Sequence, residues 1–391
     1  GLLWDDSVMR VLGACSLGGA GHLEPLRPLL DAAQRRGADT LVAGPPAIAS
    51  MVEQMGFRVA VCGEPPEDVV GPIRERLPTA PAAEASVLGN RELFGRLATA
   101  AMLPGLERIV AGWGPDLVVR DPCEYASAVI GHREHIAMAQ VAIGLADVEW
   151  GSIEVASAAL EVHRSGLTDE VRLTPYVTRF PASLDSSPFP DTRRYRETPG
   201  HPMPLPDWWD GSTAPLLYVS FGTVLGHMSM AATAYRVALA AVGELDARVL
   251  LTVGRRFDLD QLDAIPHNVH VEPWVNQPDV LAEADVVVCH GGSGTTFGAL
   301  AAGVPLVIAP MFADQFANGA KVAASGAGVT LGTGATGGLR RPLSWADVSP
   351  LAQAIETVRR DRSYRLAAHQ IATEMASAPT IDELLMDLLA Q

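Results

Sequence analysis

Val286-Val287-Val288-Cys289-His290-Gly291-Gly292-Ser293-Gly294-Thr295-Thr296 is the most informative run in the chain. Its apolar, largely β-branched start reads as a buried strand. The glycines read as a tight turn, and the Ala- and Gly-rich residues beyond as a helix. Glycine lets the backbone turn sharply and approach a ligand, leaving N–H groups at the helix start aimed outward. Ser293, Thr295 and Thr296 add hydroxyls and His290 a ring donor, which together suit a diphosphate. A strand-to-helix turn with no ligand has the same glycine pattern, so the loop alone leaves both readings open. The Gly-Lys-Ser/Thr of a P-loop is absent.

Outward from this run the same grammar repeats. Residues 216–221, 248–253 and 306–309 read as strands and 230–242 as a helix. In the first half, 10–15, 41–43, 59–61, 116–120 and 136–143 read as strands. Helical patterns cover 23–36, ended by Gly37, and 92–110, while the Pro- and Ala-rich 64–89 reads as a loop with short helical pieces. Alternating strands and helices imply α/β architecture with parallel sheets covered on both faces. Prolines at 181, 188, 190, 199, 202, 204 and 206 mark a stiff link between two such domains. The expected division is 9–197, a linker at 198–213, a second domain at 214–376 and a closing helix at 377–391 that packs back on the first domain. Two Rossmann-like domains imply a ligand cleft between them, at the carboxyl ends of the strands.

Composition narrows the function. The 391 residues are 48% hydrophobic and 19% charged, and 45 acids against 29 bases leave a net charge of −16. Such a chain does not attract nucleic acid or anionic membrane through bulk charge. Cys15, Cys62, Cys123 and Cys289 form no C-x-x-C pair and read as free thiols of a reducing compartment. No apolar run is long enough to span a bilayer. Residues 1–8 lack the basic region of a signal peptide, so the expected native start is Met9 and the expected location the cytoplasm.

Two further stretches flank the glycine loop: Val271-Glu272-Pro273-Trp274-Val275-Asn276-Gln277 before it, and Ala302-Gly303-Val304-Pro305 with Pro310-Met311-Phe312-Ala313-Asp314-Gln315 after it. The ordered set resembles the donor-binding signature of family 1 glycosyltransferases, which have the GT-B fold. It looks most like the actinobacterial branch that decorates polyketide, macrolide and enediyne natural products. The resemblance implies that Trp274 stacks on the nucleobase, with Val275 and Gln277 beside it. His290, Gly292, Ser293, Gly294, Thr295 and Thr296 would hold the diphosphate. Asp314 and Gln315 would bind hydroxyls of the sugar, and Gly222 and Thr223 would form a second phosphate-side loop. Where plant members place a glutamate for the ribose hydroxyls, this chain has Gly298. A missing carboxylate costs a deoxyribose less than a ribose, so the expected donor is a dTDP-sugar.

In the first half, Gly18-Gly19-Ala20-Gly21-His22 follows the first strand without spelling a dinucleotide fingerprint. His22, with Pro25 downstream, resembles the family's catalytic histidine, and a base with a pKa near 7 suits deprotonation of an acceptor alcohol. Asp121, at the end of strand 116–120, matches the acid that supports that histidine; followed by Pro122, it also reads as a helix N-cap. The expected activity is inverting transfer of a deoxysugar to a hydroxyl of a hydrophobic aglycone, with no metal and no cofactor. A UDP-hexose enzyme, a non-catalytic sugar-nucleotide binder and a two-domain oxidoreductase are the alternatives, and a homodimer is left open. Asp258-Leu259-Asp260 spells the metal-binding D-x-D but reads better as an acid pair at a helix start. His132 and His135 read as surface residues. Arg255-Arg256 reads either as a solvated pair or as a phosphate contact, and Trp208-Trp209 as packing or as part of the acceptor approach. Residues 64–102 and 145–167 are the expected acceptor walls.

Overall fold

The computed structural model describes residues 8–17, 19–77, 79–198, 200–222, 225–311, 314–332 and 343–390. Thr223 and the start of the chain before Val8 therefore lie outside the described residues. The chain divides into two units. One comprises Gly1–Arg179, Asp185–Glu197 and Ala378–Gln391; the other comprises Phe180–Leu184 and Thr198–Ser377.

The first unit is built on seven strands: β1 (Arg10–Ala14), β2 (Asp39–Gly44), β3 (Arg58–Val61), β4 (Leu117–Arg120), β5 (Ala137–Val141), β6 (Tyr176–Thr178) and β7 (Thr192–Arg194). They lie in the order β3-β2-β1-β4-β5-β6-β7, and every neighbouring pair is parallel. The chain runs outward one way from β1 and then the other way from β4, so the switch point lies between these two strands. The Val-rich β4 is buried at every position because helices cover both faces of the sheet.

The second unit repeats the plan with β8 (Leu216–Ser220), β9 (Arg248–Thr252), β10 (Val269–Glu272), β11 (Val286–Cys289), β12 (Leu306–Ile308) and β13 (Gly328–Thr330). Their order is β10-β9-β8-β11-β12-β13, again all parallel. Here the switch point lies between β8 and β11. Pairing of Cys289 with Ser220 brings the two following loops to the same level.

The last helix, Ile381–Leu389, opens with a capping box in which Thr380 and Glu383 serve each other's backbone N–H. Its Ile381, Leu384, Leu385 and Leu388 are buried in the first unit's core with Leu26, Leu29 and Leu30. At roughly 1.5–3 kcal/mol per buried aliphatic side chain, this face ties down the end of the chain.

Several elements differ from the sequence expectation. The stretch 64–89 holds helices Glu67–Arg76 and Ala82–Ser86, then enters a π-helical segment, Val87–Ala98. Pro66 and Pro81 are the N-cap residues here, so these prolines begin helices rather than interrupt them. The proline-rich stretch contributes β7 at the edge of the first sheet, where a strand needs only one hydrogen-bonding neighbour. Phe180 groups with the second unit, stacked on Phe297 at 3.7 Å between ring centres. Trp208 and Trp209 also belong to that unit: Trp208 stacks on His270, and Trp209 Nε1 donates to the Asn268 carbonyl. No helix among the described residues is long and apolar enough to cross a membrane.

Candidate active site

Both switch points carry the residues singled out from the sequence. In the first unit, β1 runs into Gly19, whose φ of +67° sets up the short helix Ala20–Leu23 bearing His22. Asp121 follows β4, and its N–H donates to the Ala14 carbonyl at the end of β1. The two side chains meet, His22 Nδ1 lying 3.0 Å from Asp121 Oδ1. That carboxylate oxygen also accepts from Cys123 N at 2.8 Å, closing a local turn. The next helix, Ala126–Arg133, has Tyr125 as its N-cap, so Asp121 caps no helix. It is fully buried, whereas the His22 side chain is 18% exposed. The Nδ1 edge of the imidazole is the one turned to the carboxylate.

The surroundings keep other groups out of this chemistry. Burial pushes the Cys15 and Cys123 thiols well above their ordinary range, so they stay protonated. His22, Asp121 and Cys123 form the one group of three His, Cys, Asp or Glu side chains, among the described residues, whose ligand atoms lie within 4.8 Å of one another. Two of those residues are already bonded as the histidine–carboxylate pair.

In the second unit, Gly292 is the N-cap of helix Ser293–Ala301. Thr296 N, donating to the Gly292 carbonyl, makes the first bond of that helix. The N–H groups of Ser293, Gly294 and Thr295 precede it and point out of the helix end, where an anion is favoured. Two glycines are fixed by the His290 ring: a Cβ on Gly292 would come 2.5 Å from Nε2, and one on Gly222 2.7 Å. Gly222 also has φ +76°. Burial holds His290 down to about 4, so the ring is neutral and offers a hydrogen bond rather than a charge.

The remaining expected residues fall into two groups. Trp274 is 51% exposed, with the Arg255 guanidinium 4.8 Å from its ring centre, and Val275 follows it towards Asn276, the N-cap of helix Gln277–Leu281. Gln277 Nε2 donates to Thr295 Oγ1 at 3.2 Å. A Cβ at Gly298 would stand 3.0 Å from Gln277 Oε1, so the carboxamide occupies the space a larger residue there would need. Ser293 Oγ donates to Asp314 Oδ2 at 3.1 Å, and Gln315 Oε1 accepts from Met311 N at 2.9 Å. Thr296 is fully buried, its hydroxyl 3.9 Å from Cys289 Sγ, which turns that hydroxyl into the core.

Sequence reading missed Asn318. This buried amide donates to the Gly291 carbonyl, Ser293 Oγ and Asp314 Oδ2, joining the glycine loop to the helix Gln315–Ser325. The signal was the four-residue spacing from Asp314, which puts both on one helix face. Asp258 accepts from Asp260 N as the N-cap of the short helix Leu259–Gln261, the helix-start role expected of that acid pair. His132 corrects the surface reading. It is partly buried between Thr174 and Glu170, and burial holds it down to about 4.

Each unit is a doubly wound parallel sheet with candidate residues at its switch point. Residues 236–391 match the erythromycin biosynthesis protein CIII-like C-terminal domain. The chain is 29% identical to the L-demethylnoviosyl transferase of Streptomyces niveus over 382 residues, 95% of each chain. It is equally similar, at 29%, to the elloramycin glycosyltransferase ElmGT of Streptomyces olivaceus, across 95% of this chain and 94% of that one. The fold matches the spinosyn rhamnosyltransferase SpnG, solved with thymidine diphosphate, with a TM-score of 0.77 at 23% identity over 97% of this chain and 100% of the other. The chain is thus similar along nearly its whole length to transferases of Streptomyces, among them a named glycosyltransferase, and shares its fold class with the solved rhamnosyltransferase.

Proposed function

We propose that this glycosyltransferase moves a deoxysugar from a dTDP-sugar to a hydroxyl of a hydrophobic natural-product aglycone, with inversion and without a metal ion. The observation that carries the mechanism is the His22–Asp121 pair at a strand switch point. His22 Nε2 takes the proton of the acceptor hydroxyl as its oxygen attacks the anomeric carbon. The bond from that carbon to the phosphate oxygen breaks on the opposite face, and dTDP leaves. One displacement inverts the carbon. Asp121 stabilises the imidazolium so formed, the same logic that a buried aspartate follows in a serine protease.

Charge developing on the leaving diphosphate is met by the N–H groups of Ser293, Gly294 and Thr295 and by neutral His290. Preorganised donors of this kind are worth about 3–4 kcal/mol each, against about 3–5 for general-base catalysis, so neither contribution alone suffices. Trp274 carries the base. Asp314, held by Ser293 and Asn318, accepts from sugar hydroxyls, and Gln315 shapes the same loop through Met311. The dTDP assignment is supported by Gly298, where no carboxylate awaits a 2′-hydroxyl, and by the thymidine diphosphate that a structural relative binds. Calorimetric titration with dTDP and with UDP tests it: dTDP should bind more tightly, and tighter UDP binding would contradict the assignment.

A further inference from the structure

We propose that Arg255 is a positioning residue for the nucleobase, its guanidinium backing one face of the Trp274 indole so that the other face is held in place for the base. The inference rests on the reading of Trp274 as the platform for that base. The Arg255 guanidinium lies over the Trp274 ring, 4.8 Å from its centre, inside the distance at which a cation is drawn to an aromatic face. An indole covered by protein on one face and by a guanidinium on the other would expose little beyond its edge. Trp274 is 51% exposed, so one face stays open to a ligand. None of the ion pairs among the described residues includes Arg255. The indole, rather than a carboxylate, therefore sets where the guanidinium lies.

The fold brings the two side chains together. β9 and β10 are parallel neighbours with Thr252 opposite Glu272, and Val253 N donates to the Glu272 carbonyl at 3.2 Å, so the chain leaves both strands side by side. After β9, Gly254 takes φ +86°, and Phe257 N donates back to the Gly254 carbonyl at 3.3 Å, closing a turn. Phe257 is buried and meets the Tyr235 ring edge-on at 4.8 Å, which pins the turn carrying Arg255 to the second unit's core. After β10, Pro273 restricts the backbone immediately before Trp274. An unbacked indole on an exposed loop samples several rotamers, and ordering such a side chain on binding costs affinity. A cation held on one face of the ring lowers that cost before the ligand arrives. A guanidinium that reached the diphosphate instead would act on the phosphates and leave the affinity for a nucleoside unchanged.

The test is a double-mutant cycle in the full-length chain, read by calorimetric titration with thymidine and with dTDP. Both side chains are exposed, so neither substitution opens a cavity in the core. R255A should weaken thymidine and dTDP by the same factor, roughly 2- to 10-fold. W274L should weaken both by roughly 10- to 100-fold, the scale of base stacking on an aromatic ring. In the W274L background R255A should change neither, because its effect passes through the indole. A loss confined to dTDP, an R255A effect that persists in W274L, or thymidine binding that is unchanged or tighter in R255A would overturn the proposal. W274L with wild-type thymidine affinity would overturn the platform reading and the proposal with it, whereas a weakened W274L beside an unaffected R255A overturns the proposal alone.

Discussion

At His22 the imidazole has one nitrogen on a buried carboxylate and the other directed away from it, so loss of either partner should be visible in turnover. D121N keeps the shape but lets the amide present its NH₂ to Nδ1, which favours the wrong tautomer, and kcat should fall by roughly 10²–10⁴. Steady-state kinetics with donor KM as the control checks this. Gly298 offers a second measurement. Ala is favoured over Gly in a helix interior by about 1 kcal/mol, while displacing Gln277 from Thr295 forfeits a hydrogen bond of about the same size. G298A should therefore leave the melting temperature nearly unchanged while weakening dTDP, as thermal melts and dTDP titration on one preparation would show. A large loss of stability would mean that Gln277 cannot move.

At the scale of elements, the closing helix should matter to the first unit more than its terminal position suggests. Leu385 is fully buried among Leu26, Leu29 and Leu30, so L385A should cost about 2–5 kcal/mol in urea unfolding. What the sequence revealed follows the same physics. β4 and β11, each beside a switch point, are valine-rich runs followed within two residues by aspartate or glycine, and both signals survive without context. β6, β7 and β13 are three residues each and carry polar side chains, so no apolar run marks them, whereas β12, of the same length, is wholly apolar and was legible. The helical pattern was legible from 92 onward, but the π-helical start at 87–91 escaped because its repeat is not the 3.6 residues of an ordinary helix. His132 was misread because Arg133 and Glu134 beside it are exposed; its own partners, Thr174 and Glu170, lie about forty residues away. Likewise the contacts made by Gln315 and Thr296 depend on tertiary neighbours that residue type does not reveal.

Over the whole molecule, buried groups give stability a pH dependence with a definite sign. His132 and His290 are both held down to about 4, and an unfolded histidine titrates near 6.5. Their stabilisation is complete above about 6.5 and is lost as pH falls towards 4. Glu149, buried beneath the N–H groups of Ile143 and Gly144 and the Tyr176 hydroxyl, is pushed up to about 8 by burial. An unfolded glutamate titrates near 4.3, so this contribution is complete below that pH and is lost as pH rises through 8. Burial also pushes Glu124 up, so it acts in the same direction as Glu149. Above pH 6.5, where the histidines no longer titrate, Glu149 should make stability decline by up to about 1.4 kcal/mol per unit towards pH 8. E149Q should flatten the alkaline decline and steepen the acid limb, where the opposing glutamate is gone, and chemical denaturation across the range would show it.

Transfer by a histidine base from a helix-held diphosphate is tested most directly by single-turnover release of dTDP, comparing wild type with H22A. The expected result is release slowed by roughly 10²–10⁴ with dTDP affinity unchanged, because the base and the diphosphate site sit on different sheets. Equal release rates in the two proteins would contradict it.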